Sequence, residues 1–174
     1  VARAEETFFT HLECSRTGES YEKGEIQHVS RAGAPLLARY DTARARASFQ
    51  PDALTGRPFN IWRYRKLLPL ANTSDILSLG EGGTPLLQAH RQGARLGLSR
   101  LYIKDEGLNP TASFKVRGMA VAVSMAVALG AKELAVASAG NAGGALAAYA
   151  ARAGLPAHIV VPRDAPRGSV AEAE

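Results

Sequence analysis

The sequence predicts an α/β chain whose second half, residues 76–174, forms a parallel sheet with flanking helices. Three observations predict it. Leu101 to Lys104, Leu134 to Ala137 and Ala157 to Val161 are short apolar runs of strand length. Helix-length stretches rich in Ala and Val separate them, from Ser113 to about Leu129 and from Asn141 to Ala153. The links are short, and strand–helix–strand repeats with short links build parallel sheets through crossover connections.

Residues 1–75 read differently, as an N-terminal arm with a small irregular module and one or two short helices. Phe8, His11, Leu12, Cys14, Gly18 and Tyr21 fall in a turn-rich segment, and Val29 to Tyr40 holds one strand. Ile61 to Leu70 sets Trp62, Tyr64, Leu67 and Leu68 at near-helical spacing. Pro51, Pro58 and Pro69 cut the region into short pieces.

The regular pattern begins at Leu79. Gly80-Glu81-Gly82-Gly83-Thr84-Pro85 is a loop, followed by the apolar pair Leu86 and Leu87. Asp105 to Ser113 is a second loop, because Pro110 fits neither a helix interior nor a central strand. Ser113 is placed to cap the following helix, and Gly130 stops it. Leu134 to Ala137 reads as a short buried strand. Gly154 ends the next helix, and Pro162 follows the last strand.

Composition narrows the function classes. Charged residues are 21% and apolar residues 46% of the 174, ordinary for a globular domain with a core. No run of eighteen apolar residues exists, so no membrane span is expected. Glu5 and Glu6 in the first ten residues do not look like a secretory leader. A single cysteine, Cys14, rules out an internal disulfide and points to a reducing, cytoplasmic setting. Of the 21 basic residues 16 are Arg and the net charge is +5, yet the arginines are scattered and no aromatic platform accompanies them. Nucleic-acid binding is not expected. His11 and Cys14 lack the further ligands that zinc needs, and Thr17 stands where a second cysteine would, so no metal is expected.

Two motifs carry chemistry. Asn109-Pro110-Thr111-Ala112-Ser113-Phe114-Lys115 is a Pro-broken turn that delivers one lysine to a helix start. The helix dipole disfavours a cation there, and that placement suits an amine nucleophile. Ser138-Ala139-Gly140-Asn141-Ala142-Gly143 is a small-residue loop from strand to helix, where unpaired backbone amides suit an anion. It does not match the dinucleotide pattern G-x-G-x-x-G, and no phosphate-binding G-x-x-x-x-G-K-[ST] occurs. Asn141 either caps its helix or reaches a ligand; its position allows both.

These residues resemble the threonine synthase family, fold-type II enzymes dependent on pyridoxal 5'-phosphate. The carriers are Leu79 to Leu87, Leu101 to Gly118 with its Lys-Asp-Glu-Gly-Leu-Asn-Pro-Thr string, and Ala137 to Gly144. Cys14-Ser-Arg-Thr-Gly18 is similar to the family's N-terminal module in a degenerate, zinc-ribbon-like form, and Trp62 to Pro69 also fits. The resemblance implies that Lys115 bonds the cofactor and then moves protons. It implies that Asn141 hydrogen-bonds the cofactor and that Phe114, read as a buried aromatic, packs near its ring. The amides of Ser138, Ala139, Gly140, Asn141 and Ala142 would hold the substrate carboxylate. Thr84, Thr111, Ser113 and Arg117 would reach its phosphate end. The implied reaction turns O-phospho-L-homoserine and water into L-threonine and phosphate, and the full-length enzyme allows a homodimer. Ala112 stands where the family often has glycine. The resemblance puts the loop for the cofactor phosphate beyond residue 174, so the chain is expected to be an inactive N-terminal fragment. Another enzyme of the same fold, such as a threonine or serine dehydratase, and a non-catalytic binding module are the alternatives.

Overall fold

The computed structural model describes residues 7–174; Glu5 and Glu6 lie outside them. The N-terminal module is a small antiparallel sheet of β1 (Phe9–Cys14), β2 (Ser20–Tyr21) and β3 (Leu36–Tyr40), in the order β2-β1-β3. Leu12 sits opposite both Tyr21 and Ala38, which fixes the register. Of the stretch from Val29 to Tyr40 only Leu36–Tyr40 is strand. The residues before it form a turn in which the Gly33 and Ala34 amides donate to the Ser30 carbonyl and hydroxyl, at 2.8 and 3.1 Å. A similar turn follows Cys14, where the Thr17 and Gly18 amides donate to its sulfur and carbonyl at 3.4 and 3.0 Å. The two turns meet where the buried Cys14 thiol donates to Ser30 Oγ at 3.1 Å. Sequence periodicity missed this sheet because its strands are short and two of them flank turns.

After α1 (Thr42–Ser48), capped by the Asp41 carboxylate at the Arg44 amide, the chain runs in short 3-10 turns. The near-helical spacing from Ile61 becomes a 3-10 segment, Ile61–Leu67, with non-helical angles at Tyr64. It buries Trp62, which joins the core of the second half together with Leu70.

The second half is α/β, but the expected parallel sheet is reduced to one pair. β4 (Leu86–Gln88) and β5 (Tyr102–Lys104), joined through α2 (His90–Leu96), pair antiparallel, with Leu87 opposite Ile103. All six of their residues are exposed. Only β6 (Leu134–Ala137) and β7 (Ala157–Val160) are parallel, in register from Leu134–Ala157 to Ala137–Val160. A parallel sheet ordinarily has both faces covered. Here Leu134, Val136, Ala157 and Ile159 turn toward the core, while Ala135, Ala137, His158 and Val160 stay exposed. The strand from Leu134 is therefore half-buried rather than buried.

Two helices fill the core. α3 (Lys115–Ala128) packs along α4 (Asn141–Ala153), and the terminal helix α5 (Arg167–Ala173) lies against α4. Val116, Ala120 and Val123 of α3 meet Ala145, Leu146 and Tyr149 of α4, with Trp62 and Leu70 closing the cluster. These spacings of three and four put each set on one helix face. Ser124 is fully buried in α3 and accepts the Leu77 amide at 3.0 Å, which pins the chain just before the 80–85 loop. Among the described residues no helix is long and apolar enough to cross a membrane.

The core also contains one carboxylate. Glu81 is fully buried. Trp62 Nε1 donates to it at 2.6 Å, the Leu79 amide at 2.9 Å and Ser78 Oγ at 3.1 Å, and the Tyr149 hydroxyl makes a further short bond. Burial and the Glu81 charge push the Tyr149 phenol well above its ordinary range. A buried charge is tolerable only when its lone pairs are met in this way. Trp62→Phe removes one donor while keeping an aromatic ring. It is expected to lower the unfolding free energy by about 1.5–3 kcal/mol, the range for a bond to a charged group, in urea denaturation followed by circular dichroism.

Candidate functional site

The site forms where the 80–85 loop, the turn before α3 and the start of α4 converge. The loop owes its path to Gly82 and Gly83, at φ +98° and +62°. A side chain at Gly83 would strike the Phe59 carbonyl, whose oxygen lies 2.2 Å from the Cβ position. The Gly82 amide donates to Asn109 Oδ1 at 3.0 Å, which ties the loop to the turn before the lysine.

That turn is strained. Asp105 to Ser113, read as a loop, contains two short 3-10 turns, Glu106–Leu108 and Pro110–Ala112. Thr111 and Ala112 both have positive φ, +55° and +49°, a region that costs a residue with a side chain about 1–2 kcal/mol. They are the non-glycine residues of this kind among those described. The Pro110–Ala112 turn packs on α4, so the strained backbone is held where it sets the direction of the following residues. Ser113, expected to cap α3, is buried and its Oγ accepts the Lys115 amide at a long 3.4 Å.

Lys115 is the first residue of α3 and is exposed. Its Nζ lies 4.8 Å from the Phe114 ring centroid and has no carboxylate partner among the described residues. Phe114 itself is 55% exposed, not buried; the turn directs it outward because Val116, two residues on, takes the core position. An uncompensated amine beside an open aromatic face suits a planar electrophile.

The start of α4 supplies donors. Gly140 is the N-cap in extended conformation, and no side chain caps the helix. Asn141 is exposed and its side chain makes no hydrogen bond within the described residues. Of its two open roles the cap is thereby removed. Ser138 Oγ holds the Gly140 amide at 3.3 Å, and the Gly143 amide returns to the Gly140 carbonyl at 2.8 Å. The amides of Ala139, Asn141 and Ala142 have no acceptor among the described residues, whereas the Ser138 amide, also expected to bind the carboxylate, is taken by the Val160 carbonyl at 3.0 Å because it closes the β6–β7 ladder. Three unpaired amides at the positive end of a helix match what a carboxylate needs. Free amine, free carboxamide and free amides together fit pyridoxal phosphate and an amino-acid substrate.

The four residues expected at a phosphate end behave differently from one another. Arg117 Nε and Nη2 donate to the two oxygens of Glu106 at 2.6 and 2.7 Å, a bidentate pair. Thr84 Oγ1, buried, donates to Glu106 at 2.6 Å and accepts from Arg117 Nη2 at 3.2 Å. Asn109 Nδ2 adds a bond to Glu106 at 3.0 Å, and Lys104 Nζ caps the Thr84 carbonyl. The Arg117 guanidinium, then Thr84 and Asn109, hold the Glu106 carboxyl well below the usual range, at about 2. Thr84 and Arg117 are thus brought together, but through Glu106. Thr111 Oγ1 is buried with no hydrogen-bond partner among the described residues. Glu81 and Glu106 carry no role in the sequence reading, and Asn109 appears there only as the start of the lysine turn. Glu106 and Asn109 sit inside the recognised string, but nothing local says that its acid turns back onto an arginine eleven residues later. Among the described residues no group of His, Cys, Asp and Glu is placed to hold a metal ion.

Two outcomes follow from this geometry. Ala112→Gly relieves a positive-φ strain and is expected to stabilise the fold by about 0.5–1 kcal/mol after the entropic cost of glycine, measured by urea denaturation. Glu106 has a depressed carboxyl, so its stabilising effect is fully present above the ordinary value of 4.5 and is lost as pH falls through about 2. Stability is expected to fall across that window, and Glu106→Gln to flatten the fall, in denaturation midpoints taken against pH.

Comparison with known proteins bears on the family to which the chain belongs. Residues 77–174 match the model of the family described as pyridoxal-phosphate dependent enzyme. The chain is 40% identical over 149 residues to threonine synthase of Methanocaldococcus jannaschii, covering 86% of this chain and 37% of that protein. It is 38% identical over 153 residues to threonine synthase of Methanosarcina acetivorans, covering 87% and 37%. Over 100 residues it is 47% identical to threonine synthase of Synechocystis, covering 57% and 26%. The chain spans little more than a third of the length of these first two relatives. The family match, carried over the stretch that holds Lys115 and the Ser138–Gly143 loop, settles the affiliation: the chain belongs to the pyridoxal-phosphate dependent enzyme family.

Proposed function

We propose that this chain is the N-terminal part of a threonine synthase, acting on O-phospho-L-homoserine to give L-threonine and phosphate. The observation that carries the reading is the lysine turn. An amine without an acidic partner begins α3, on a turn packed against the helix that presents Asn141 and three unpaired amides. The similarity to threonine synthases over 86% of the chain supports the choice of substrate.

Bound pyridoxal phosphate supplies an electron sink for carbanion chemistry at the amino-acid carbons. The protein's share is placement and proton movement. Lys115 Nζ would bond the cofactor and, as a free amine, would take and return protons at the substrate carbons. Asn141 would hydrogen-bond the cofactor's 3′-oxygen, and Phe114 would pack near its ring. The unpaired amides of Ala139, Asn141 and Ala142 would hold the substrate carboxylate and so fix its orientation. Thr111 and Ser113 hydroxyls serve the phosphate end, with Thr84 and Arg117 on the same side once Glu106 yields. On this reading residues 76–174 are the incomplete catalytic unit, with the fold-type II arrangement, and residues 1–75 are the accessory module. The paired turns at Cys14 and Ser30 support reading that module as a zinc ribbon that has lost its ligands. The setting is cytoplasmic.

Trapping tests the reading. Incubation with pyridoxal phosphate, borohydride reduction and peptide mass mapping are expected to mark Lys115, and Lys115→Ala to abolish the mark. Labelling spread over other lysines, unchanged in the variant, would falsify the assignment. For the substrate, the full-length gene product should release phosphate from O-phospho-L-homoserine; ammonia release from threonine instead would identify a dehydratase.

A further inference from the structure

The reading above leaves Glu106 without a role, although it is the most heavily bonded side chain near Lys115. A substrate phosphate needs donors. At this end the one Thr84 hydroxyl proton already goes to Glu106, and Arg117 gives both its Nε and an Nη2 hydrogen to the same carboxylate. Asn109 adds a fourth donor. Three donating side chains therefore converge on one oxyanion, and that oxyanion belongs to the protein. The arrangement is partly open to solvent, with 29% of the Arg117 and 26% of the Glu106 side chain exposed, so an outside anion can reach it. The geometry of the donors is that of an anion site: a planar guanidinium fork, a hydroxyl and a carboxamide on one carboxylate.

We infer that Glu106 is an internal anion occupying a phosphate-type site formed by Arg117, Thr84 and Asn109. It sets the specificity of the site by making any incoming oxyanion compete with it. The inference deepens the proposed function and rests on it for the identity of the natural anion, the phosphate of an O-phosphorylated amino acid. Two features of the site agree. Lowering the carboxyl to about 2 is the mark of strong donors concentrated on one anion. The loop bearing Thr84 and the turn bearing Asn109 are joined independently by the Gly82 amide, so the donors stay assembled when the carboxylate is neutralised.

The test uses inorganic phosphate as the probe on the 174-residue chain, with calorimetric titration in a chloride background. Glu106→Gln removes the charge and keeps the side-chain size. It is expected to bind phosphate at least about ten-fold more tightly than the unmodified chain, equivalent to about 1.4 kcal/mol. Adding Arg117→Met to that variant should remove the gain. Glu106→Ala is the second variant, since it leaves room for phosphate and needs no amide to reorient. Circular dichroism and Trp62 emission establish which variants are folded. A folded variant of either kind that binds phosphate no better than the unmodified chain overturns the inference, as does a gain that survives loss of Arg117. Neither cofactor nor substrate is needed, so failure here and failure of the Lys115 trapping experiment point to different errors.

Discussion

The constraint on which the rest of the structure depends is the burial of a single carboxylate, Glu81. Its four donors come from the N-terminal module, from the segment before the loop and from α4. Taking an ionised carboxyl out of water is costly, and partial satisfaction would leave most of that cost in place. The three segments must therefore arrive together. With Glu81 fixed, Gly80, Gly82 and Gly83 turn the loop tightly enough to bring Thr84 over the turn before α3. An apolar residue at position 81 would fill space but would not hold Tyr149 and Trp62 to one point.

A second carboxylate does the corresponding work at the surface of the site. Glu106 gathers Arg117, Thr84 and Asn109, and so fixes the first turn of α3 relative to the loop. A few residues after Glu106 comes the strained pair Thr111 and Ala112. Strain persists where surrounding bonds over-determine the backbone, and such places gather at functional sites. Here the strained turn lies next to Lys115 and against α4, which joins the lysine to the helix that carries Asn141.

Much of this was legible in the chain. α3 and α4 follow from helix-length runs ended by Gly130 and Gly154, and the structure ends them within a residue or two of those positions. The short strands β6 and β7 were legible as apolar runs between them. The lysine turn and the Ser138–Gly143 loop were legible because Pro110 and the small residues exclude regular structure. What escaped was long-range. The antiparallel pair β4–β5 joins segments whose three-residue strands carry no period. The β1–β3 sheet has the same difficulty, and a register shift near Phe9 and His11 blurs its alternation further. The outward turn of Phe114 escaped too, because an aromatic beside a helix start is ordinarily core. The grip of Glu106 on Arg117 depends on a fold of the chain between them, which no local spacing encodes.

The exposed pair β4–β5 carries a consequence for handling the molecule. Leu86, Leu87, Tyr102 and Ile103 all face solvent on short strands that have no further neighbour among the described residues. Such a surface is a template for another chain to add to. What opposes this is a net charge of +5, carried mostly by scattered arginines. Long-range repulsion of that kind is screened by salt. Salt that screens this charge weakens the one long-range force keeping such edges apart.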